Sequence, residues 1–144
     1  MATTVKTLLD RKNIKDIISV RPEATVYEAL VLMAECNIGA LLVMEEEKLV
    51  GIFSERDYAR KGIIKDKKAK STIMTDVMTP NVFTVSSDKN IVDCMEIMSS
   101  KKFRHLPVLD GEKVIGLLSV GDIVTAMILE QKSHINFLEN YISS

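Results

Sequence analysis

The stretch Gly51-Ile52-Phe53-Ser54-Glu55-Arg56-Asp57 occurs again, 65 residues later, as Gly116-Leu117-Leu118-Ser119-Val120-Gly121-Asp122. In both, an apolar strand-like run ends in a serine, and an acid follows three residues on. The same offset also aligns Val20 with Val85, Met33 with Met98, Leu41 with Leu106 and Val43 with Val108. A match at one fixed offset indicates a tandem duplication. The chain therefore consists of one unit present twice.

Each copy shows the same order of secondary-structure signals. Thr25-x-x-Glu28 and Asn90-x-x-Asp93 resemble capping boxes, and an apolar stripe at helical spacing follows each. Two apolar runs around a polar turn then predict a hairpin, with strands 40–44 and 49–53 in the first copy and 106–109 and 114–118 in the second. A short extended segment comes before, at 17–20 and 82–85, and a helix comes after. The order is β-α-β-β-α, twice.

This order predicts an α/β (α+β) fold in which two repeats pack sheet to sheet. A three-stranded sheet with helices on one face leaves its other face uncovered, and a unit of about 60 residues is marginal alone. Face-to-face packing gives pseudo-two-fold symmetry and two clefts between the repeats, where small ligands commonly bind. We assign residues 1–62 to the first repeat with an N-terminal helix, 63–78 to a linker and short helix, 79–126 to the second repeat and 127–144 to a C-terminal helix.

Composition and charge exclude several classes of protein. The 144 residues are 47% hydrophobic with a net charge of -1, so the chain can form a core without metal or disulfide and lacks the basic excess of a nucleic-acid binder. We find no apolar run of membrane-spanning length and no apolar leader, which predicts a cytoplasmic protein without a membrane partner. Cys36 and Cys94 fit small buried hydrophobes, the lysine-rich stretch 65–70 fits a solvated linker, and no metal-ligand spacing occurs.

The duplicated Ser-x-x-Asp allows two interpretations. A serine at a helix start with an acid three residues later is a capping device. The same carboxylate could instead accept hydrogen bonds from the vicinal hydroxyls of a ribose, while the serine and nearby amides hold sugar or phosphate. The two roles do not exclude each other.

The duplicated pattern resembles a pair of CBS domains, a Bateman module. The resemblance runs from about Ile17 to Ala126 and rests on Gly-h-h-Ser-x-x-Asp at the end of both copies, where h is apolar. Met78-Thr79-Pro80 before the second copy and Phe103-Arg104-His105-Leu106-Pro107-Val108 within it fit the same family. Such stand-alone bacterial proteins have no catalytic domain attached. The resemblance implies a regulatory module that binds AMP, ADP or ATP, or in some members NAD or S-adenosylmethionine.

The resemblance also implies that each cleft takes its walls from both repeats. The first cleft would combine Ile52, Ser54, Arg56, Asp57 and Arg60 with Asn81, Val82, Phe83, Arg104, His105 and Pro107. The second cleft would combine Leu117, Ser119 and Asp122 with Ile17, Ile18, Gly39 and Ala40. In each, the serine and the acid would hold the sugar.

The residues around the two motifs predict unequal clefts. Arg56, Arg60 and Arg104 could converge on a phosphate in the first cleft, where arginine binds in bidentate fashion. The positions that correspond in the second cleft are Gly121, Thr125, Gly39 and Ala40, which predicts a cleft without cations. We therefore expect the first cleft to bind a phosphorylated adenosine more tightly. Alternatively, Arg56 and Arg60 pair only with surface carboxylates such as Glu55, and His105 is a structural histidine.

Catalysis is not expected, because no nucleophile with a base, acid–base pair or metal stands at a recognisable spacing. Two alternatives to nucleotide sensing stay open: an NAD(H) or S-adenosylmethionine sensor, and a purely structural dimerisation module whose Ser-x-x-Asp boxes only cap helices. The family implies a homodimer, and the apolar residues between Ile128 and Ile142 exceed what one helix needs to pack on its own repeat. A regulatory module also implies an effector protein as partner.

Overall fold

The computed structural model describes residues 3–12 and 17–143. Both repeats have the predicted order of elements. The first half contains α1 (Val5–Arg11), β1 (Ser19–Val20), α2 (Val26–Cys36), β2 (Ala40–Glu45), β3 (Lys48–Ser54) and α3 (Glu55–Asp57), which continues as a π-helix (Tyr58–Ile63). The second half contains two 3-10 turns (Ala69–Ser71 and Met74–Asp76), β4 (Thr79–Pro80), β5 (Val85–Ser86), α4 (Ile91–Lys101), β6 (His105–Asp110), β7 (Lys113–Ser119) and α5 (Val120–Ser143).

The strands form two sheets, in the orders β1-β2-β3-β4 and β5-β6-β7. Their hairpins have the same register, since Val43 lies opposite Gly51 as Val108 lies opposite Gly116. Both hairpins also shift register at the next position of the first strand. The predicted α/β fold with two tandem repeats is confirmed.

The helix caps agree with the sequence prediction. The Thr25 hydroxyl accepts a hydrogen bond from the Glu28 amide at 3.1 Å, and the Asn90 side chain accepts one from the Asp93 amide at 2.8 Å. Each cap satisfies an amide that has no partner within its helix. Both repeats thus begin their first helix by the same device.

Each repeat has its own apolar core. The core of the first includes Val26, Met33 and Phe53, and that of the second includes Ile91 and Leu106. Cys94 is buried in the second core and Cys36 is half-buried, as expected for small hydrophobes. Burial raises the pKa of the Cys94 thiol, which keeps it protonated and inert.

The segments that complete the two cores are exchanged between the halves. Val5 and Leu8 of α1 lie in the second core, whereas Met74 and Val77 of the linker lie in the first. Equivalent backbone bonds hold both segments: the Val5 amide donates to the Lys89 carbonyl at 2.8 Å, and the Met74 amide to the Ala24 carbonyl at 2.9 Å. The two closing segments, residues 3–9 and 72–78, are therefore structural counterparts at an offset of 69.

The duplicated glycines make room for these closing segments. A Cβ atom on Gly51 would lie 2.5 Å from the Met78 sulfur, and one on Gly116 would lie 2.7 Å from a Leu9 methyl carbon. Both distances are shorter than van der Waals contact allows. Glycine thus lets a segment of the other half lie directly on β3 and on β7.

The exchange bears on the domain boundaries, which stay a prediction. The helix assigned with residues 1–62 packs in the second core, and β4, at the start of 79–126, pairs with β3 of the first sheet. The short helix expected in 63–78 takes the form of the two 3-10 turns, and 127–143 continues α5 without a break.

Candidate functional site

A cavity of about 490 Å³ lies between the repeats at the second motif. It is lined by all seven residues predicted for the second cleft: Ile17, Ile18, Gly39, Ala40, Leu117, Ser119 and Asp122. The volume is within the range of roughly 300–1,000 Å³ typical of small-molecule sites. The structure thus brings these residues together around one space.

Ser119 and Asp122 form the capping arrangement at the start of α5. The Ser119 amide donates to Asp122 Oδ2 at 2.8 Å, and the Asp122 amide donates to Ser119 Oγ at 3.1 Å. Burial alone would raise the pKa of Asp122, but the bonds from Ser119 and from the Lys12 ammonium outweigh it and lower the pKa. The acid is therefore a carboxylate at neutral pH, with its side chain 25% exposed.

The prediction of a second cleft without cations is wrong. Lys12 Nζ lies 2.9 Å from Asp122 Oδ2 and donates to the Leu117 carbonyl oxygen, also at 2.9 Å. Lys6 lines the same cavity, and the carboxylate of Asp10 joins it. These groups all come from α1 and its end, which cross to the second repeat. An offset of 65 compares only the repeats and omits that helix.

The first motif forms the same cap with different neighbours. Asp57 Oδ2 accepts bonds from the Ser54 amide at 3.0 Å and from Ser54 Oγ at 3.1 Å. Asp57 Oδ1 is 3.4 Å from Lys61 Nζ and accepts a bond from Thr79 Oγ1, also at 3.4 Å. Both oxygens of this acid thus have partners within the chain.

Three arginines approach one another beside the first motif. Arg104 and, to a lesser extent, Arg60 lower the pKa of Arg56 by charge repulsion. In the described part of the chain, none of the three forms an ion pair, so the alternative pairing of Arg56 and Arg60 with surface carboxylates is not observed. Cations that repel one another favour an anion between them.

The opposite wall predicted for the first cleft is dispersed. Asn81 and Val82 line a separate cavity of about 560 Å³, which neither Ser54 nor Asp57 lines. Phe83 stacks on Phe103, with ring centroids 5.9 Å apart. The remaining predicted residues lie in strands: Ile52 is half-buried in β3, opposite Leu42 and Thr79, and Pro107 is buried in β6, opposite Leu117.

His105 lies between the two motifs. It lines the 490 Å³ cavity and pairs with Ser119 across β6 and β7. Burial lowers its pKa, Asp122 and Asp57 raise it, and Lys12 and Arg104 lower it further, so the pKa is lowered overall. His105 is therefore neutral at pH 7 and senses charges of both clefts.

Sequence reasoning missed Lys6, Lys12, Lys61 and Thr79. A signal for the first two was present, because the apolar pattern of Val5, Leu8 and Leu9 returns, 69 residues on, at Met74, Val77 and Met78. No helix in 3–12 or 17–143 is long and apolar enough to cross a membrane. In the same residues, no three His, Cys, Asp or Glu side chains gather to hold a metal ion.

Comparisons with known proteins agree with this geometry. A family model described as the CBS domain matches residues 6–63 and 74–129. The mitochondrial CBS domain-containing protein CBSX3 of Arabidopsis thaliana is 37% identical over 82% of this chain, which spans 60% of that relative. A CBS-domain protein structure from Burkholderia ambifaria is 43% identical, with a TM-score of 0.86, and covers 90% of this chain and 96% of its own.

Two similar structures contain ligands. The CBS domain pair of protein MJ0100, in complex with 5′-methylthioadenosine and S-adenosyl-L-methionine, is 28% identical with a TM-score of 0.79 and covers 90% of this chain and 99% of its own. CBSX2, in complex with AMP, is 29% identical with a TM-score of 0.73 and covers 90% of this chain and 98% of its own. Both ligand sets contain an adenosine.

Proposed function

Because this chain belongs to the CBS-domain family and carries two copies of the domain, we propose that it is a regulatory module that binds an adenosine nucleotide between its repeats. One observation carries the proposal: a cavity of about 490 Å³ bounded by Ser119 and Asp122 on one side and by Ile17, Ile18 and Gly39 on the other. AMP, ADP and ATP are the ligands we propose. The adenosine ligands of CBSX2 and of MJ0100 support this class.

The chemistry of the cavity suits a nucleoside. Ile17, Ile18 and Leu117 offer apolar surface for a flat base, and the Asp122 carboxylate accepts hydrogen bonds from sugar hydroxyls. Lys6 and Lys12 provide positive charge for a phosphate. A ligand that touches both repeats favours the arrangement of repeats that completes its site, which is how occupancy would reach an effector protein.

We do not propose catalysis. The hydroxyls of Ser54 and Ser119 each accept a bond from the amide of their own cap, and the nearby acids bond these same caps. A nucleophilic serine needs a base that takes its proton, and His105 reaches neither serine by a hydrogen bond within the described chain.

A thermal-shift panel tests the proposal. We expect AMP, ADP or ATP to raise the melting temperature, because a ligand that binds only the folded state adds stability by mass action. Asp122→Asn should reduce the shift strongly, whereas Glu35→Gln, an exposed acid on α2, serves as the matched control. A shift with NAD or S-adenosylmethionine alone would favour that alternative ligand, and no shift with any of them would favour a purely structural module.

We further propose that the chain is a homodimer through the C-terminal half of α5. Ile128, Ile135, Leu138 and Ile142 are between 44% and 82% exposed and follow heptad spacing, which is typical of paired helices. Lys132 and Glu139 flank this stripe, so two antiparallel copies would place opposite charges together. A second copy therefore fits the face better than a strongly charged partner does.

Sedimentation of two variants tests the dimer. The double variant Ile135→Glu with Leu138→Glu should sediment as a monomer, whereas Ser133→Glu, away from the stripe, should not change the mass. If both sediment like the wild type, the stripe does not hold a dimer. The effector protein and the cytoplasmic location stay predictions from the sequence.

A further inference from the structure

Lys12 is held in the second cleft from both ends of its side chain. Its backbone ends α1, which Val5 and Leu8 anchor in the second core. Its ammonium lies 2.9 Å from both Asp122 Oδ2 and the Leu117 carbonyl oxygen, and its side chain is 27% exposed. The backbone is therefore fixed, and only the side chain can change its partner.

Lys12 and a bound sugar would compete for the same oxygen. Asp122 Oδ2 accepts bonds from the Ser119 amide and from Lys12 together, which uses both of its lone pairs. A diol that binds through both carboxylate oxygens must displace the ammonium. A half-buried ammonium that loses its anion is costly unless a new anion is near.

From this geometry, and on the basis of the proposed function, we propose that Lys12 determines the charge of the ligand in the second cleft by selecting a phosphorylated nucleoside over a neutral one. The sugar takes the place of Lys12 on Asp122, and the phosphate becomes the new partner of the displaced ammonium. A neutral nucleoside offers the sugar but no second anion.

The charges that face the cavity support this selection. Lys6 and Lys12 are balanced by Asp10 and Asp122, and His105 is neutral at pH 7. Removal of the Lys12 charge leaves the cavity net acidic, which repels phosphate and favours a neutral or cationic ligand. The flexible stem of lysine lets its ammonium follow either anion.

Calorimetric titration of AMP and adenosine tests the proposal. It is done in the Asp57→Asn background, so that the first cleft contributes least. Lys12→Met should weaken AMP about tenfold, as expected for one lost charge-assisted contact to phosphate, and should tighten adenosine severalfold. Lys12→Arg should keep the preference for AMP. Lys132→Met, an exposed lysine on α5, is the control and should change neither affinity.

The outcomes separate two failures. If Lys12→Met weakens both ligands equally, or neither, Lys12 does not select charge and this proposal is wrong. If neither ligand binds any variant, including the parent, the proposed function fails and the selection by Lys12 fails with it. Thermal unfolding of Lys12→Met, read beside the titration, establishes that the variant is folded.

Discussion

The two clefts share one cap and differ in how they neutralise it. Asp57 receives Lys61 from four residues along its own π-helix, at 3.4 Å, whereas Asp122 receives Lys12 from a helix 110 residues away in sequence, at 2.9 Å. The position that corresponds to Lys61 is Ala126. Duplication thus retained the strand, the serine and the acid, while each copy obtained its lysine from a different segment.

The clefts also differ in their remaining positive charge. Arg56, Arg60 and Arg104 gather beside the first motif without an ion pair in the described chain, whereas the lysines of the second are balanced by acids. A polyphosphate suits the first arrangement and a single phosphate the second. The comparison teaches that equivalent sequence motifs do not guarantee equivalent ligand charge.

The largest expected effect is on stability and tests the exchange of closing segments. Leu8→Ala, 5% exposed in the second core, should lower the free energy of unfolding by about 2–5 kcal/mol. Its counterpart Val77→Ala removes fewer buried carbons and should cost less. Urea denaturation measures both, and Thr7→Ala is an exposed control on the same helix. An unchanged stability of Leu8→Ala would contradict the packing of α1 in the second core.

The next effect separates the clefts by ligand charge. Asp57→Ala should weaken ATP about tenfold more than Asp122→Ala does, because only the first cleft has three arginines for a triphosphate. Calorimetry of the two variants against ATP measures the ratio. Glu35→Gln again serves as control, and equal losses would remove the distinction between the clefts.

A smaller effect compares the two lysines. Lys12→Met should destabilise the protein more than Lys61→Met, because the Lys12 pair is 27% and 25% exposed while Lys61 is 43% exposed. An exposed ion pair contributes only about 0–1 kcal/mol. Since the pKa of Asp122 is lowered in the folded state, its contribution is present above the unfolded pKa of about 3.9 and is lost as the pH falls. In Lys12→Met this acid-side loss should shrink, as chemical denaturation at pH 3 and 6 would show.

The smallest effect concerns His105, which lies between the clefts. Burial lowers its pKa in the folded state, so the unfolded chain binds more protons near its own pKa of about 6.5. Stability should therefore rise as the pH increases through that value, and fall below it. His105→Gln should flatten this rise, whereas the exposed His134→Gln should leave it. Identical slopes for the wild type and His105→Gln would contradict the burial argument.

The repeated parts of the fold were predictable because they are local. The caps at Thr25 and Asn90 and both hairpins follow from spacing within about ten residues, and all appear in the structure. The lining of the second cleft was predictable from the family resemblance. The position of α1 was not, because the closing segments repeat at 69 rather than 65 residues, and few apolar positions mark them.

The site charges were less predictable for the same reason. Lys61 follows Asp57 by four residues, a spacing that a helix brings together. Lys12 reaches Asp122 only through the tertiary packing of α1. Spacing along the sequence carries no information about such a contact.

The exchanged closing segments mean that neither half is self-sufficient. A chain severed within the lysine-rich linker would give an N-terminal fragment that carries the cover of its neighbour and lacks its own. Each fragment alone would expose the apolar surface that Leu8 or Val77 covers in the intact chain. When mixed, the fragments should reassemble by reciprocal complementation, and the two repeats can be swapped between relatives only together with the segments that close them.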